Sequence, residues 1–277
     1  MDTFELRRPR SASLPLLFDS PHSGRVYPPD FGASAPLADL RRGEDAYVDE
    51  LLAGCEELGV TLLLALYPRC YLDLNRALDD LDPGMLAGEW PEPLRPTQKS
   101  ERGLGLIRRL VIPGVPVYDR LLTVSEVRSR ISTVYRPYHS ALTEMRAELL
   151  QRHGRIWHIN WHSMKSVGNA MTPDGVGARR PDFVVGDLRG KSAHPSVTEA
   201  VVELLREQGY RVAVNDPYAG GLILEAMGDP KAEAHSVQIE MSRALYLNEV
   251  TVERTGRFEG LRDRLRAFTK NLALAVG

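Results

Sequence analysis

Five separated stretches of this 277-residue chain hold side chains able to bind a metal ion or move a proton. In Phe18-Asp19-Ser20-Pro21-His22-Ser23-Gly24-Arg25 an apolar run breaks abruptly into polar residues, which sets the His22 imidazole at the carboxyl edge of a strand. Glu44 and Asp45 are adjacent carboxylates opening the next helical segment, and their plainer reading is favourable N-terminal charge and capping. The stretch Tyr67-Pro68-Arg69-Cys70-Tyr71-Leu72-Asp73-Leu74-Asn75-Arg76, if extended, puts Tyr71, Asp73 and Asn75 on one side, bracketed by Arg69 and Arg76. Such a group could fix a carboxylate and polarise a carbonyl, or form a salt-bridged turn in which Asp73 orients one arginine. In Ile156-Trp157-His158-Ile159-Asn160-Trp161-His162-Ser163-Met164, alternation gives His158, Asn160 and His162 a common face. His162, at the strand end, is the better ligand candidate; His158 is a partner behind it or a packed ring. Gln238 and Glu240 share a face of Ser236-Val237-Gln238-Ile239-Glu240-Met241-Ser242-Arg243. Burial there would raise the pKa of Glu240 towards neutrality, while the plainer alternative is an ion pair with Arg243.

Two imidazoles and a carboxylate with one coordination position open form the usual catalytic zinc set. Zinc brings the pKa of bound water to about 7. A neighbouring glutamate can carry the proton, and an arginine can stabilise the oxyanion of a carbonyl turning tetrahedral. The pattern points to metal-assisted amide hydrolysis. Acyl-enzyme chemistry is disfavoured, since no serine sits in a GxSxG elbow and neither Cys55 nor Cys70 has an evident partner. No GxGxxG or P-loop is present for a nucleotide.

The elements that must carry these residues can be read from periodicity. Apolar runs at 14–18, 60–66, 156–159, 183–185, 212–214 and 237–239 predict buried strands. Segments 46–58, 124–152, 196–208 and 258–275 have the three-and-four spacing of helices, the second kinked or broken near Pro137. Strands alternating with helices imply a three-layer α/β/α domain around a mixed, mainly parallel sheet. We read residues 1–277 as one domain, with a loop insertion at 77–116 rich in Pro, Gly, Asp and Arg. That insertion is either a lid or specificity element, or an ordered surface excursion.

Bulk properties narrow the field. With 35 basic and 37 acidic side chains the net charge is −2, so no strong field steers the chain to nucleic acid or a membrane surface. Two cysteines make no disulfide framework and are expected to be buried and reduced. No signal-like segment is read, and no run reaches the roughly 20 apolar residues of a membrane span, so a cytoplasmic location is expected.

Together, Ser20-Pro21-His22-Ser23-Gly24, Asp45-Ala46-Tyr47-Val48-Asp49, Asp73-Leu74-Asn75-Arg76, His162-Ser163 and Gln238-Ile239-Glu240 resemble the N-formylglutamate amidohydrolase (formylglutamate deformylase) family. The likeness extends to Asn215-Asp216-Pro217-Tyr218-Ala219-Gly220-Gly221 and to Leu245-Tyr246. It implies a phosphorylase/hydrolase-like fold similar to the zinc carboxypeptidases and aspartoacylase. It also implies cleavage of N-formyl-L-glutamate to formate and glutamate in histidine catabolism. By the same resemblance, His22 and His162 are expected zinc ligands, with Asp45 as the carboxylate ligand and Glu44 as the fallback. Glu240 is the expected general base and acid, and Arg69 the oxyanion stabiliser. Asn75 and Arg76 would hold the α-carboxylate, and Tyr218 with its glycine pair would form a mobile loop over the substrate.

The sequence departs from relatives at two points. Zinc carboxypeptidases place their second ligand three residues after the first histidine, where Arg25 stands here, so the carboxylate must come from the following segment. Close relatives often carry aspartate at the place of Asn160; if that aspartate tunes the ligand histidine, asparagine would alter zinc affinity or water pKa. Arg243, Arg179 and Arg180 are candidates for a γ-carboxylate contact. The metal could also be iron, cobalt or manganese, and the protein a monomer or small homo-oligomer. Competing readings are a zinc amidase for another N-acyl amino acid or small peptide, and a non-catalytic carboxylate-binding relative.

Overall fold

A computed structural model describes residues 2–276. Its centre is a seven-stranded sheet, built from β1 (Phe4–Arg7), β2 (Leu16–Ser20), β3 (Thr61–Ala65), β8 (Ile156–Met164), β9 (Phe183–Gly186), β10 (Val212–Val214) and β11 (Ala234–Ser242). Two short ribbons pair β4 (Leu86–Ala87) with β7 (Leu122–Thr123), and β5 (Leu110–Ile112) with β6 (Val115–Pro116). In the large sheet the order is β1-β3-β2-β8-β11-β9-β10. The central strands β3, β2, β8 and β11 are mutually parallel, while β1 and β9 run antiparallel to their neighbours β3 and β11. The sheet is thus mixed and mainly parallel, as the alternation of elements implied.

Strand alternation sorts the two faces. Leu16, Phe18, Leu62, Ile159, Trp161, Val237 and Ile239 point to one core, whereas Leu17 and Leu63 point to the other. The first core is covered by α2 (Val48–Leu51), α6 (Pro195–Arg206) and α8 (Phe258–Val276). Helix α8 buries Phe258, Leu261, Leu265, Phe268, Leu272 and Val276, a three-and-four stripe, with Phe268 set edge-on to Trp161 at 5.8 Å. The opposite core is covered by α4 (Val124–Arg130) and α5 (Arg136–His153), together with residues of the 77–116 segment such as Leu81, Leu106 and Ile107.

On that opposite face the middle of the sheet is polar. Asp19 of β2, His158, Asn160 and His162 of β8, and Ser236 and Gln238 of β11 are all buried there. Register keeps them together, since Asp19 pairs with Asn160, Ser236 with His158 and Glu240 with His162. Isolated polar groups at such depth would be costly, so each must find a partner.

Several elements differ from their periodicity. Strands β8 and β11 run nine residues, through their histidines and glutamate, because paired backbone rather than apolar side chains defines a strand. The helix expected over 46–58 is only the short α2 and a 3₁₀ turn at Cys55–Leu58, bracketed by Gly54 and Gly59. The helix expected over 124–152 is helical without a break in sequence but contains a π-helical stretch at Ile131–Tyr135, close to Pro137. Strand β1, α1 (Leu37–Arg42) and α7 (Leu222–Met227) have too few residues to show a period. Cys55 and Cys70 are free and buried, and burial pushes each thiol up to about 11. No described helix is long and apolar enough to cross a membrane.

Candidate active site

The carboxyl ends of β2, β3, β8 and β11 open into one cavity of about 370 Å³. His22 follows β2 in a loop drawn tight by a 2.9 Å hydrogen bond from Ser20 Oγ to Ser23 Oγ. Gly24 passes so close to the next segment that a Cβ there would lie 2.3 Å from the Tyr67 carbonyl oxygen. The carbonyl of His22 accepts the Asp45 backbone N–H at 3.0 Å, so the loop that carries the histidine also seats the carboxylate.

Glu44 and Asp45 are not the capping pair that charge at a helix start suggests. They lie in the turn after α1, ahead of α2, and neither caps a helix. Asp45 is fully buried and points at the two imidazoles, with Oδ2 3.0 Å from His162 Nδ1 and 3.5 Å from His22 Nδ1. Glu44 turns the other way, accepting a hydrogen bond from the Tyr27 hydroxyl, and burial pushes its pKa up to about 7. Glu44, the fallback carboxylate, does not converge with the two imidazoles.

The outer nitrogens of the two rings decide what the inner ones offer. Asp73 Oδ1 lies 2.7 Å from His22 Nε2, and an ionised carboxylate can only accept, so Nε2 carries the hydrogen. Burial by itself would raise the pKa of Asp73, but Arg69 and His22 hold it well below the usual carboxylate range. On the other ring, Asn160 Oδ1 lies 2.7 Å from His162 Nε2. The amide is held that way round because its Nδ2 donates to Asp19 Oδ1 at 2.7 Å. As neutral imidazoles both rings therefore carry hydrogen on Nε2 and turn Nδ1 lone pairs toward each other, 3.0 Å apart, with Asp45 Oδ2 completing the triangle.

Three lone pairs at 3.0, 3.0 and 3.5 Å repel unless a cation lies among them. A tetrahedral zinc with bonds of about 2.0–2.1 Å has ligand-to-ligand edges of about 3.3 Å. The donor set and its spacing fit a zinc-type ion, and His22, Asp45 and His162 are the described residues that could hold one.

Around this centre the remaining sequence candidates fall into two groups. Glu240 pairs in register with His162 and borders the cavity; burial raises its pKa, with the Asp45 charge adding to the rise and His162 opposing it. Its hydrogen bond comes from Gln238 Nε2 at 3.0 Å. The alternative reading of Glu240, an ion pair with Arg243, is not formed. Arg243 instead donates Nη2 to Asp45 Oδ1 at 3.0 Å, Nε to Ser163 Oγ at 3.0 Å and Nη1 to the Arg42 carbonyl at 2.9 Å. Arg69 donates Nη2 and Nε to Asp73 Oδ2 at 2.9 and 3.2 Å and reaches Asp45 at 3.4 Å, so the salt-bridged turn and the site are one structure. Asn75 Oδ1 accepts the Ile223 N–H at 3.0 Å, which turns its Nδ2 toward His162, 3.4 Å from Nε2.

Tyr71 does not share a side with Asp73 and Asn75. Residues 70–76 form turns, not a strand, and the Tyr71 ring packs 4.1 Å from the Arg130 guanidinium, its hydroxyl donating to Asp30. Arg179 is exposed and does not border the cavity. Arg180 does border it but is held bidentately by Asp174 at 2.7 and 2.8 Å, beneath the Tyr218 ring at 5.1 Å. Tyr218 and Gly220 line the cavity. His158 is packed rather than a ligand, between Asp19 at 2.9 Å and Ser236 at 2.8 Å.

Sequence reasoning missed Asp19, which gathers His158, Asn160 and the Tyr138 hydroxyl on one buried carboxylate. A charged residue inside an apolar run, two places after Leu17, was its only signal. It also missed the 77–116 residues on the cavity wall, Lys99, Arg102 and Arg108.

The sequence profile of the N-formylglutamate amidohydrolase family matches residues 14–247, which include every side chain of this centre. The chain belongs to that family. An N-formylglutamate deformylase of Pseudomonas aeruginosa is 30% identical over 244 residues, spanning 85% of this chain and 83% of its own. One from Pseudomonas putida is 28% identical over 242 residues, with the same two shares. The crystal structure of an N-formylglutamate amidohydrolase from Ralstonia eutropha JMP134 is 43% identical and superposes with a TM-score of 0.93, covering 100% of this chain and 99% of that one.

Proposed function

We propose that this family member hydrolyses the formyl amide of N-formyl-L-glutamate, releasing formate and L-glutamate, with a divalent ion, zinc in our reading, held by His22, Asp45 and His162. The observation that carries the metal is the meeting of two bare Nδ1 atoms and a carboxylate oxygen. The substrate is supported by the Pseudomonas relatives of that name. When bound, such an ion polarises a carbonyl and brings the pKa of water near 7.

The chain's own residues do the rest. Glu240, made more basic by burial, takes a proton from the water that attacks the formyl carbon. As the C–N bond breaks, Glu240 returns that proton to the amine nitrogen. Arg69 has N–H groups left after binding Asp73 and Asp45, and these face the developing oxyanion. Asn75 Nδ2 and Arg76 hold the α-carboxylate, while Tyr218 closes over the acyl side. We read residues 1–277 as one working unit, because the cavity takes walls from segments 22–76, 98–113, 162–180 and 217–243.

Gly221 supports this placement of Asn75, since a Cβ there would lie 2.6 Å from Asn75 Oδ1. Gly221→Ala is expected to displace the amide and raise KM about 10-fold, within the roughly 1–3 kcal/mol that overpacking costs. Steady-state kinetics beside a melting curve checks this, and an unchanged KM counts against the role of Asn75. The function itself is tested by formate release from N-formyl-L-glutamate against N-acetyl-L-glutamate and a formylated dipeptide. Turnover of the others, with none of N-formyl-L-glutamate, overturns it.

A further inference from the structure

Most cations on the cavity wall are already engaged. Arg69 and Arg108 share Asp73, Arg243 holds Asp45, Arg180 holds Asp174 and Arg42 holds Asp39. Arg76 is different. It is 8% exposed and borders the cavity, yet its guanidinium meets only carbonyl oxygens, Leu104 O from Nε at 2.8 Å and Asn75 O from Nη1 at 2.7 Å. It has no carboxylate within salt-bridge reach among the described residues, and its second Nη is left over. A buried guanidinium without a counter-charge is costly unless an anion arrives.

Lys99 lies on the same wall and also has no carboxylate partner among the described residues. It belongs to α3 (Gln98–Glu101), and the Lys99 carbonyl accepts the N–H of Leu104, the residue whose own carbonyl holds Arg76. Hydrogen bonds brace this turn. Asp80, buried beneath it, accepts hydrogen bonds from the Thr97 N–H at 2.8 Å, the Thr97 hydroxyl at 3.0 Å and the Ser100 hydroxyl. Thr97 Oγ1 in turn accepts the Lys99 N–H at 3.2 Å. Lys99 is exposed at the rim of the cavity, and the like charge of Arg76 pulls its pKa down to about 8, with Asp73 and Glu240 opposing the fall.

We propose that Lys99, beside Arg76, reads the side-chain carboxylate of the substrate, so that the 77–116 segment is the specificity wall that selects dianionic N-acyl amino acids. The inference rests on the amide-hydrolase reading above for its substrate. It assigns the γ-carboxylate to Lys99 in place of Arg243, Arg179 or Arg180, of which two are engaged elsewhere and one is off the cavity.

The test compares N-formyl-L-glutamate with N-formyl-L-glutamine, which differ in that one charge, in the metal-loaded enzyme and its Lys99→Gln and Lys99→Arg variants. The ratio of kcat/KM for the two substrates is expected to fall about 10- to 100-fold in Lys99→Gln, the usual worth of a charge-assisted hydrogen bond, and to recover in Lys99→Arg. Calorimetric binding of glutarate against pentanoate gives the same comparison without turnover. Loss of the glutarate preference in Lys99→Gln supports the proposal even if neither formyl substrate is cleaved, a result that would count against the hydrolase reading alone. A substrate ratio and a glutarate preference both within about 2-fold of wild type overturn it.

Discussion

Glu240→Gln is expected to lower the rate of formate release about 10³-fold, the middle of the range for removing a general base, while leaving metal content unchanged. The change keeps the size of the side chain and its hydrogen bond with Gln238, whose amide can rotate to donate or accept. What it removes is a basic oxygen bordering the cavity, in register with His162. Arg69 and the ligand set stay in place, so KM should move little and the loss should fall on kcat. Full activity in this variant would remove Glu240 from the proton path.

Asp45→Asn should weaken metal binding by about 100-fold or more, since loss of even an outer partner of a ligand costs about 10–100-fold. The effect spreads because Asp45 is shared. Its other oxygen accepts from Arg243 at 3.0 Å and faces Arg69 at 3.4 Å. Breaking a buried pair costs about 3–5 kcal/mol, so the melting temperature of the metal-free protein should fall too. Glu44→Gln is the companion variant, because Glu44 faces Tyr27 and not the imidazoles. Competition against a chromophoric chelator reads both, and equal weakening by the two variants would mean that the carboxylate ligand has been misassigned.

How much of the fold and site is legible in the sequence depends on the kind of element. A period of two survives in β8 and β11, so alternation alone places His158, Asn160 and His162, and likewise Gln238 and Glu240, on common faces. The same rule fails at Tyr71 and Asp73, because residues 70–76 turn, and the burial of Arg130 draws Tyr71 away. Capping chemistry misreads Glu44 and Asp45 for a tertiary reason. The Asp45 N–H is taken by the His22 carbonyl, a contact between segments that no local preference encodes.

The partners behind His22 and His162 are the hardest to see. Asp73 and Asp19 set the tautomers of His22 and His162, one directly and one through Asn160, from other strands or turns. An aspartate at position 160 would sit beside Asp19 as a second carboxylate, whereas asparagine passes the orientation along without repulsion. The 77–116 segment is legible as unusual but not in its role, since a stretch without period gives no face. Asp80, Leu104 and Thr97 fold it into the wall that displays Lys99.

The most direct measurement is an anomalous-difference map collected at the absorption edge of the metal in crystals of the active enzyme. One strong peak is expected within bonding distance of His22 Nδ1, Asp45 Oδ2 and His162 Nδ1. A fully active enzyme with no peak there would contradict the metal centre and the hydrolytic mechanism built on it.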